Sequence, residues 1–188
     1  MKDFSGHSTE PADKASTAGI ALGNSERAIV GLVELLFFAY RDFTRDPDDI
    51  LAEFNFGRAH HRVLHFVDRY PGLRVADLLD ILKITKQSLA RVLRQLVASG
   101  FIEQRLGEAD RRERRLYVTD SGQALAVRLL APQIRRMQQA INDTHGATEA
   151  ETVRSFLFAM IETEERRRVE ALLAGPGGLV VPKPEDTP

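Results

Sequence analysis

The chain has 188 residues, of which 43% are hydrophobic, so it has enough apolar side chains for a folded core and is not wholly disordered. It contains no cysteine, which excludes disulfides, thiolate metal sites and thiol redox chemistry. The net charge is only −1, but residues 58–118 carry 13 of the 26 basic and 7 of the 27 acidic side chains. A basic middle in an otherwise acidic chain is typical of a protein with one surface that meets phosphates.

The first 22 residues are rich in Ser, Thr, Gly, Pro and Ala and are predicted to be a mobile tail without the apolar core of a secretory signal. Residues 25–41 are predicted to form a helix that is apolar on nearly all sides. Its longest apolar run, Ala28 to Tyr40, contains Glu34 and is too short to cross a bilayer, which takes about 20 residues. Such a helix must be buried on all sides, so we expect a second subunit to cover it.

A turn is predicted at Asp46–Asp49, and a helix from Arg58 to Tyr70, closed by Pro71-Gly72. This helix carries three histidines, His60, His61 and His65. The last two stand four residues apart, the spacing at which two imidazoles can share a metal ion. Asp68 and His145 are further ligands in principle, but no complete tetrahedral motif is present. We therefore favour packed or hydrogen-bonded histidines and predict no metal site.

The stretch from Leu73 to Thr119 predicts a winged helix-turn-helix. A short apolar helix, VADLLDIL, is followed by a break at Lys83-Ile84 and by Thr85, a typical N-cap residue. The second helix is predicted to end at Gly100. It has one apolar face, made by Leu89, Val92, Leu93, Leu96 and Val97, and an opposite face made by Gln87, Ala90, Arg91, Arg94 and Ala98. Two strand-like runs, FIEQR and RRLYVT, flank the arginine-rich connection LGEADRRE.

Two further helices are predicted after this unit. Thr119 can cap a helix that runs to about Asp143, with a kink or break at Pro132 and a coiled-coil-like stripe of Leu130, Ile134, Met137 and Ile141. A last helix is predicted from Thr148 to about Leu173. The fold class is therefore mostly α with a small β-hairpin (α+β). Its predicted segments are a tail (1–22), an N-terminal dimerisation helix and loop (23–57), the winged unit (58–119), C-terminal dimerisation helices (120–173) and a flexible tail (174–188).

The winged unit resembles the MarR family of bacterial regulators. The likeness lies in ITKQSLARVLRQLVASGFIEQR, which is similar to the family's recognition helix and wing entry, and in DRRERRLYVTDSG, which is similar to the far side of its wing. It extends over roughly residues 25–170 and, through FGRAHHRVLHFVDRYPGL, is nearest to an alphaproteobacterial type of member. The family usually has Gly where this chain has Lys83. If that position needs a positive φ, Lys costs about 1 kcal/mol relative to Gly, so the shape of the turn stays open.

This resemblance implies a homodimeric, cytoplasmic DNA-binding regulator with an inverted-repeat operator. Arg can bond bidentately to guanine and Gln to adenine, so Gln87, Arg91 and Arg94 suit base reading. Thr85, Lys86 and Ser88 stand at a helix start, where amides and hydroxyls hold phosphate. In the wing, the resemblance makes Arg112 the residue that inserts into a minor groove and Asp110 the carboxylate that orients it. Arg111 and Arg114 are expected to touch phosphate.

The alternative for these residues is an ordinary solvated helix face and a charged hairpin with internal ion pairs. A winged-helix module that binds proteins instead of DNA is the competing function, but its docking face should be apolar or aromatic rather than Gln, Arg and Arg. No nucleophile–base pair, glycine-rich phosphate loop or paired-carboxylate motif is present, so no enzyme and no cofactor are predicted. The resemblance also implies a small-molecule effector pocket between the dimer helices and the winged unit. The sequence identifies neither the ligand nor the target promoters.

Overall fold

The computed structural model describes residues 23–107, 113–144 and 147–175, without the side chains of 147–149. In chain order the helices and strands are α1 (Asn24–Ala52), α2 (Arg58–Arg69), β1 (Leu73–Arg74), α3 (Val75–Leu82), α4 (Lys86–Ala98), β2 (Ile102–Leu106), β3 (Arg114–Val118), α5 (Asp120–Asp143), α6 (Ala147–Ala159) and α7 (Thr163–Ala174). The chain divides between Ala39 and Tyr40 into two units. The mostly helical α+β class and the winged helix-turn-helix order are confirmed.

The core of the second unit lies where α2, α3 and α4 meet the sheet and the first half of α5. Its fully buried side chains include Val63, Leu64, Val67, Leu78, Leu89, Val92, Leu96, Ile102, Leu116 and Leu129. Each helix contributes residues spaced three or four apart, as the sequence pattern predicts. Val97 is an exception, since it was expected on the buried face of α4 but is 39% exposed. The buried face of α4 is therefore narrower than the sequence predicts.

The sheet has three strands in the order β1-β3-β2, both pairs antiparallel. The predicted hairpin pairs Ile102 with Val118 and Leu106 with Arg114. The two-residue strand β1 was not expected, and it pairs Leu73 with Leu116. The return strand of the hairpin therefore has a hydrogen-bonded neighbour on each side.

The predicted turn at Asp46–Asp49 is wrong, because α1 continues through Pro47 to Ala52. Proline has no amide hydrogen, so the carbonyl of Phe43 loses its normal helical donor. The side-chain amide of Gln133 donates to that carbonyl instead, at 3.5 Å. Thr44, Pro47 and Leu51 are buried at helical spacing. Burial of this face and the substitute donor explain why the helix does not end at the proline. Pro132 likewise lies inside α5, which runs without a break to Asp143.

The single C-terminal helix predicted over 148–173 is also wrong, since the structure has two helices, α6 and α7. The carbonyls of Ala159 and Ile161 accept hydrogen bonds from the guanidinium group of Arg166, at 2.7 and 2.9 Å. Ala159 is the last residue of α6 and Ile161 lies in the link to α7. The guanidinium group satisfies both carbonyls, which backbone amides would have satisfied in a continuous helix. The direction of the chain can then change at Glu162.

The turn between α3 and α4 requires a positive φ at Lys83. Lys83 adopts the left-handed conformation, with φ +50° and ψ +43°. Its amide donates to the carbonyl of Leu79 at 2.9 Å, which closes α3. The turn therefore needs the positive φ for which glycine is best suited, and this chain accepts a strain of about 1 kcal/mol to have a lysine there.

Candidate nucleic-acid interface

Helix α4 presents the predicted polar face to solvent. Its start is fixed by Thr85, whose hydroxyl accepts the amide of Ser88 at 3.1 Å, so the predicted N-cap is confirmed. Its inner side is held by the buried residues Leu89, Val92, Leu93 and Leu96. All six residues predicted to contact DNA from this helix are exposed: Thr85, Lys86, Gln87, Ser88, Arg91 and Arg94. The helix is therefore a rigid support for polar side chains.

The exposed residues of α4 divide among three positions around the helix, at about 100° per residue. Gln87, Arg91 and Arg94 lie opposite the buried side. Lys86 lies on one flank, beside an open groove of about 1150 Å³ that α4 shares with α3 and β2 and that Val97 also lines. Ser88 lies on the other flank, which faces α2. With this arrangement, Lys86 on the flank can contact the phosphate backbone while Gln87, Arg91 and Arg94 extend towards the base edges.

On the flank towards α2, His60 connects the two helices. Its Nδ1 accepts the amide of Gly57 at 3.1 Å, and its Nε2 lies 2.9 Å from Oε1 of Gln95. The ring is buried and stacks on Phe56 with a centroid separation of 4.5 Å. Both ring nitrogens are engaged, so His60 is a structural residue that fixes α4 against α2. Gln95 was not predicted to have this role, although it lies on the α2 side of the helical pattern.

The described part of the wing ends at Gly107 and resumes at Glu113. The amide of Gly107 donates to the carbonyl of Glu113 at 3.0 Å and closes the hairpin. Arg114, at the start of β3, is exposed. The other predicted wing residues, Asp110, Arg111 and Arg112, lie outside the described residues. Their roles stay predictions.

The base of the wing contains a cluster of ion pairs, of which the sequence suggested those internal to the hairpin but not those that involve Arg74. Glu113 bonds to Arg74 and to Arg115, at 3.2 Å each. Arg74 also bonds to Asp77 at 2.7 Å, and this partner holds the pKa of the Asp77 carboxyl below its usual value. The sequence did contain a signal for the pair of Arg74 and Asp77, because residues at i and i+3 can meet at the start of a helix. The cluster ties the start of α3 to the start of β3.

A cavity of about 640 Å³ lies between the end of α1, α2 and α5. The stripe predicted as coiled-coil-like faces it: Leu130, Ile134, Met137 and Ile141 all line this space. Its polar edge includes His61, Arg62 and His65. Arg58 at the same edge forms a bidentate pair with Asp48, at 2.8 and 3.0 Å. An apolar space with a few charged groups on one side can hold a small organic molecule.

Burial lowers the pKa of His61 and of His65 below the usual 6.5. The charge of His65 lowers the pKa of His61 further, and the charge of Arg69 lowers that of His65 further. Both histidines are thus kept neutral in the folded chain more strongly than in the unfolded chain. The unfolded chain takes up more protons as the pH falls through 6.5, so stability is present above that pH and declines below it.

We therefore expect the free energy of unfolding in urea to fall between pH 7 and pH 5.5, with a slope of at most about 1.4 kcal/mol per pH unit for each histidine. His61→Gln with His65→Gln should flatten this part of the profile. His7→Gln, at an N-terminal position outside the described residues, is the control and should leave the slope unchanged. An equal slope in the double variant and the wild type would contradict the assignment.

Among the described residues, no three His, Asp or Glu side chains come together as a metal site. His145, one of the ligands considered, is outside that part of the chain. No helix in the same part is long and apolar enough to cross a membrane.

Comparison with known proteins supports the regulator fold. A family model described as MarR family matches residues 54–113, which span α2 to the wing. The fold is similar to a crystal structure of MarR, with a TM-score of 0.56 and 26% identity, over 82% of this chain and 99% of that one. It is also similar to a mutant MarR from E. coli complexed with operator DNA, with a TM-score of 0.56 and 19% identity, over 74% and 100% of the two chains. The latter likeness concerns the fold alone.

A curated relative carries the assignment further. The chain is 45% identical over 140 residues to the HTH-type transcriptional regulator PetP of Rhodobacter capsulatus. The alignment covers 74% of this chain and 84% of the relative. Capped helix, exposed basic face and hairpin are all within or beside the region that the family model matches. The chain belongs to the MarR family of transcriptional regulators, which are DNA-binding proteins and not enzymes.

Proposed function

We propose that this regulator is a homodimer that reads an inverted-repeat operator, with α4 in the major groove and the wing in the adjacent minor groove. The observation that carries the proposal is the exposed face of α4, where Gln87, Arg91 and Arg94 stand opposite a fully packed side. Gln and Arg can each bond two positions of one base, adenine and guanine respectively. A major groove admits a helix of this size.

The remaining predicted site residues position the protein. Thr85, Lys86 and Ser88 bind phosphate at the start of α4, where backbone amides also favour an anion. Arg111 and Arg114 bind phosphate from the wing. Arg112 enters the minor groove, whose negative potential is strongest where A·T pairs narrow it, and Asp110 orients its guanidinium group.

Dimerisation is supported by apolar side chains that this chain leaves exposed. On the first unit Ile29, Leu32, Leu35 and Phe37 are between 53% and 68% exposed. On α5 and α6 the exposed ones include Val127, Met137, Phe156 and Met160. Large apolar side chains exposed in such numbers on each of the two units mark an interface. We assign residues 23–57 and 120–173 to dimerisation and 58–119 to DNA binding. The protein acts in the cytoplasm.

We assign the 640 Å³ cavity to a small-molecule effector. The apolar stripe of α5 would contact the body of the ligand, and Arg62 or the neutral histidines would contact its polar group. The cavity touches α2, which His60 connects to α4. A ligand that moved α2 would therefore change the position of α4. The ligand can change DNA affinity only if it binds more tightly to one of the two positions of α2 and α4 than to the other.

Substitutions on α4 separate the two kinds of DNA contact. Arg91→Ala or Arg94→Ala should cost about 1–3 kcal/mol on the preferred site and relax base preference. Lys86→Ala should weaken binding to all sequences alike and reduce the salt slope by about 1. Titration of fluorescent duplexes at several salt concentrations measures both. The base-reading assignment is wrong if Arg91→Ala and Arg94→Ala weaken random DNA and the preferred site equally.

Selection of genomic fragments with the purified protein, at a stated salt concentration, tests the operator geometry. Two helices related by a two-fold axis can enter major grooves on one face of the duplex only if half-sites repeat every 10 bp or so. We expect an inverted repeat with A·T pairs at its flanks. Sites without two-fold symmetry would refute this docking.

The wing can be tested in the same selection. Arg112→Ala should remove the flanking A·T preference and leave the inner preferences in place. Arg112→Lys should rescue it only partly, because an ammonium group is more strongly hydrated than a guanidinium group. Unchanged flank preference in Arg112→Ala would refute the role of this arginine.

A further inference from the structure

The C-terminal helix α7 contacts the helix-turn-helix at three points. The carboxylate of Glu165 accepts a hydrogen bond from the ammonium group of Lys83 at 2.8 Å. Arg168 lies 3.4 Å from Asp80 of α3. The hydroxyl of Tyr70, after α2, donates to the carbonyl of Leu172 at 2.9 Å. The three contacts run along α7 from its first turn to its last. They fix both its position and its direction against the winged helix-turn-helix of residues 58–119, which we call the reading unit.

Lys83 stands beside the surface assigned to phosphate. It occupies the turn between α3 and α4, two residues before the N-cap Thr85. Its side chain is 58% exposed, so it makes little packing contribution. A lysine at a left-handed position is unfavourable compared with glycine, and its exposed ion pair returns only about 0.2–1 kcal/mol. The fold alone gives no strong reason for a cation here.

We propose that Lys83 is a further phosphate-binding residue, and that Glu165 holds its ammonium group away from the DNA phosphate. Glu165 then acts as an internal competitor: a carboxylate takes the place of a DNA phosphate, and α7 lowers affinity for all duplexes. This inference rests on the proposed function of α4. The same contact holds the pKa of the Glu165 carboxyl below its usual value, so the carboxyl stays charged at neutral pH.

The strength of the competition follows from the exposure of the pair. Breaking an exposed ion pair costs about 0.2–1 kcal/mol, which corresponds to a change in affinity of about 1.4- to fivefold at 1.4 kcal/mol per factor of ten. A lysine that neutralises one more phosphate also changes the slope of log K against log salt by about −0.9. These two quantities are measurable together.

The test compares Glu165→Gln with Glu164→Gln, which removes the same charge from the neighbouring, exposed position of α7. On a random duplex at low salt we expect Glu165→Gln to bind about 1.4- to fivefold more tightly than Glu164→Gln, with a salt slope steeper by about one unit. Equal affinities and slopes of the two variants would overturn the proposal. Weaker binding by Glu165→Gln would also overturn it, because α7 would then support the reading unit rather than compete with DNA.

Lys83→Gln, made in the wild type and in Glu165→Gln, tests whether Lys83 is the residue that loss of the Glu165 charge releases. It should change the affinity of the wild type little and abolish the gain of Glu165→Gln. An equal loss in both backgrounds would show that Glu165 does not control Lys83 and would overturn the proposal. The proposed function fails differently, by the absence of any preferred sequence in the wild-type protein. A preserved sequence preference with equal Glu165→Gln and Glu164→Gln affinities would refute this inference alone.

Discussion

Gly122→Ala is expected to destabilise the protein by about 3 kcal/mol or more, the upper range for overpacking. Gly122 lies in the first turn of α5, where its amide donates to the hydroxyl of the N-cap Thr119 at 3.0 Å. A Cβ added there would lie 1.9 Å from the carbonyl oxygen of Phe101 and 2.9 Å from its carbonyl carbon. These are backbone atoms just before β2, so no side-chain rotation can relieve the clash.

Helix α5 would have to move away from the reading unit. Alanine is the better helix former by about 1 kcal/mol, but the clash outweighs that gain. Urea denaturation of the variant would measure the change in the free energy of unfolding. Gly57→Ala is the control, since a Cβ at Gly57 meets no atom within 4 Å, and it should change stability by less than about 1 kcal/mol. A Gly122→Ala protein as stable as this control would contradict the packing described for α5.

The second large effect is expected from Phe37→Glu, which should abolish dimerisation at micromolar concentration and DNA binding with it. Phe37 is 68% exposed in this chain, in the middle of the apolar surface of α1. A carboxylate placed in an apolar interface must either be desolvated without a partner or keep the interface open. If the dimer is obligate, its folding cannot be separated from association, so the variant should also unfold at lower urea concentration.

Ser25→Glu provides the comparison, because it adds the same charge to the first turn of the same helix, where a carboxylate is favourable. Light scattering should show a dimer for Ser25→Glu and a smaller, less stable species for Phe37→Glu. A wild-type protein that is a stable folded monomer at micromolar concentration would refute the proposed dimer. A Phe37→Glu protein that remains dimeric would show that this part of α1 does not form the dimer interface.

The reading unit was predictable from sequence because its signals are local. Hydrophobic spacing placed Leu89, Val92 and Leu96 in the core, and Thr85 gave the cap. At two places the prediction failed because of a side-chain hydrogen bond that hydrophobic spacing does not show. Pro47 reads as a helix break, yet Gln133, 86 residues further along the chain, donates to the carbonyl that the proline leaves without a donor. Arg166 similarly takes two carbonyls and ends α6 where periodicity predicts a continuous helix.

The residues of the candidate site show the same division. Gln87, Arg91 and Arg94 were placed on one exposed helix face because a helix face is predicted from residue spacing. Gln95 looks like another exposed polar residue until the structure brings His60 to it, 35 positions away. Lys83 was noticed only as a departure from glycine, and its partner Glu165 is 82 positions away. Pairing between distant charged residues has no period in the sequence, so it could not be predicted.

The closed base of the wing has an evolutionary consequence. The amide of Gly107 and the carbonyl of Glu113 complete the hairpin, and Glu113 is tied to Arg74 at the start of α3. The contacts described here for β2 and β3 therefore lie at or before Gly107 and from Glu113 onward. None of these contacts needs a particular side chain from the five positions between the two anchors, so we expect exchanges in that segment to leave them in place. Under the proposed docking, a lineage could thus acquire a new preference for flanking DNA by exchanging this short segment alone, while α4 continues unchanged.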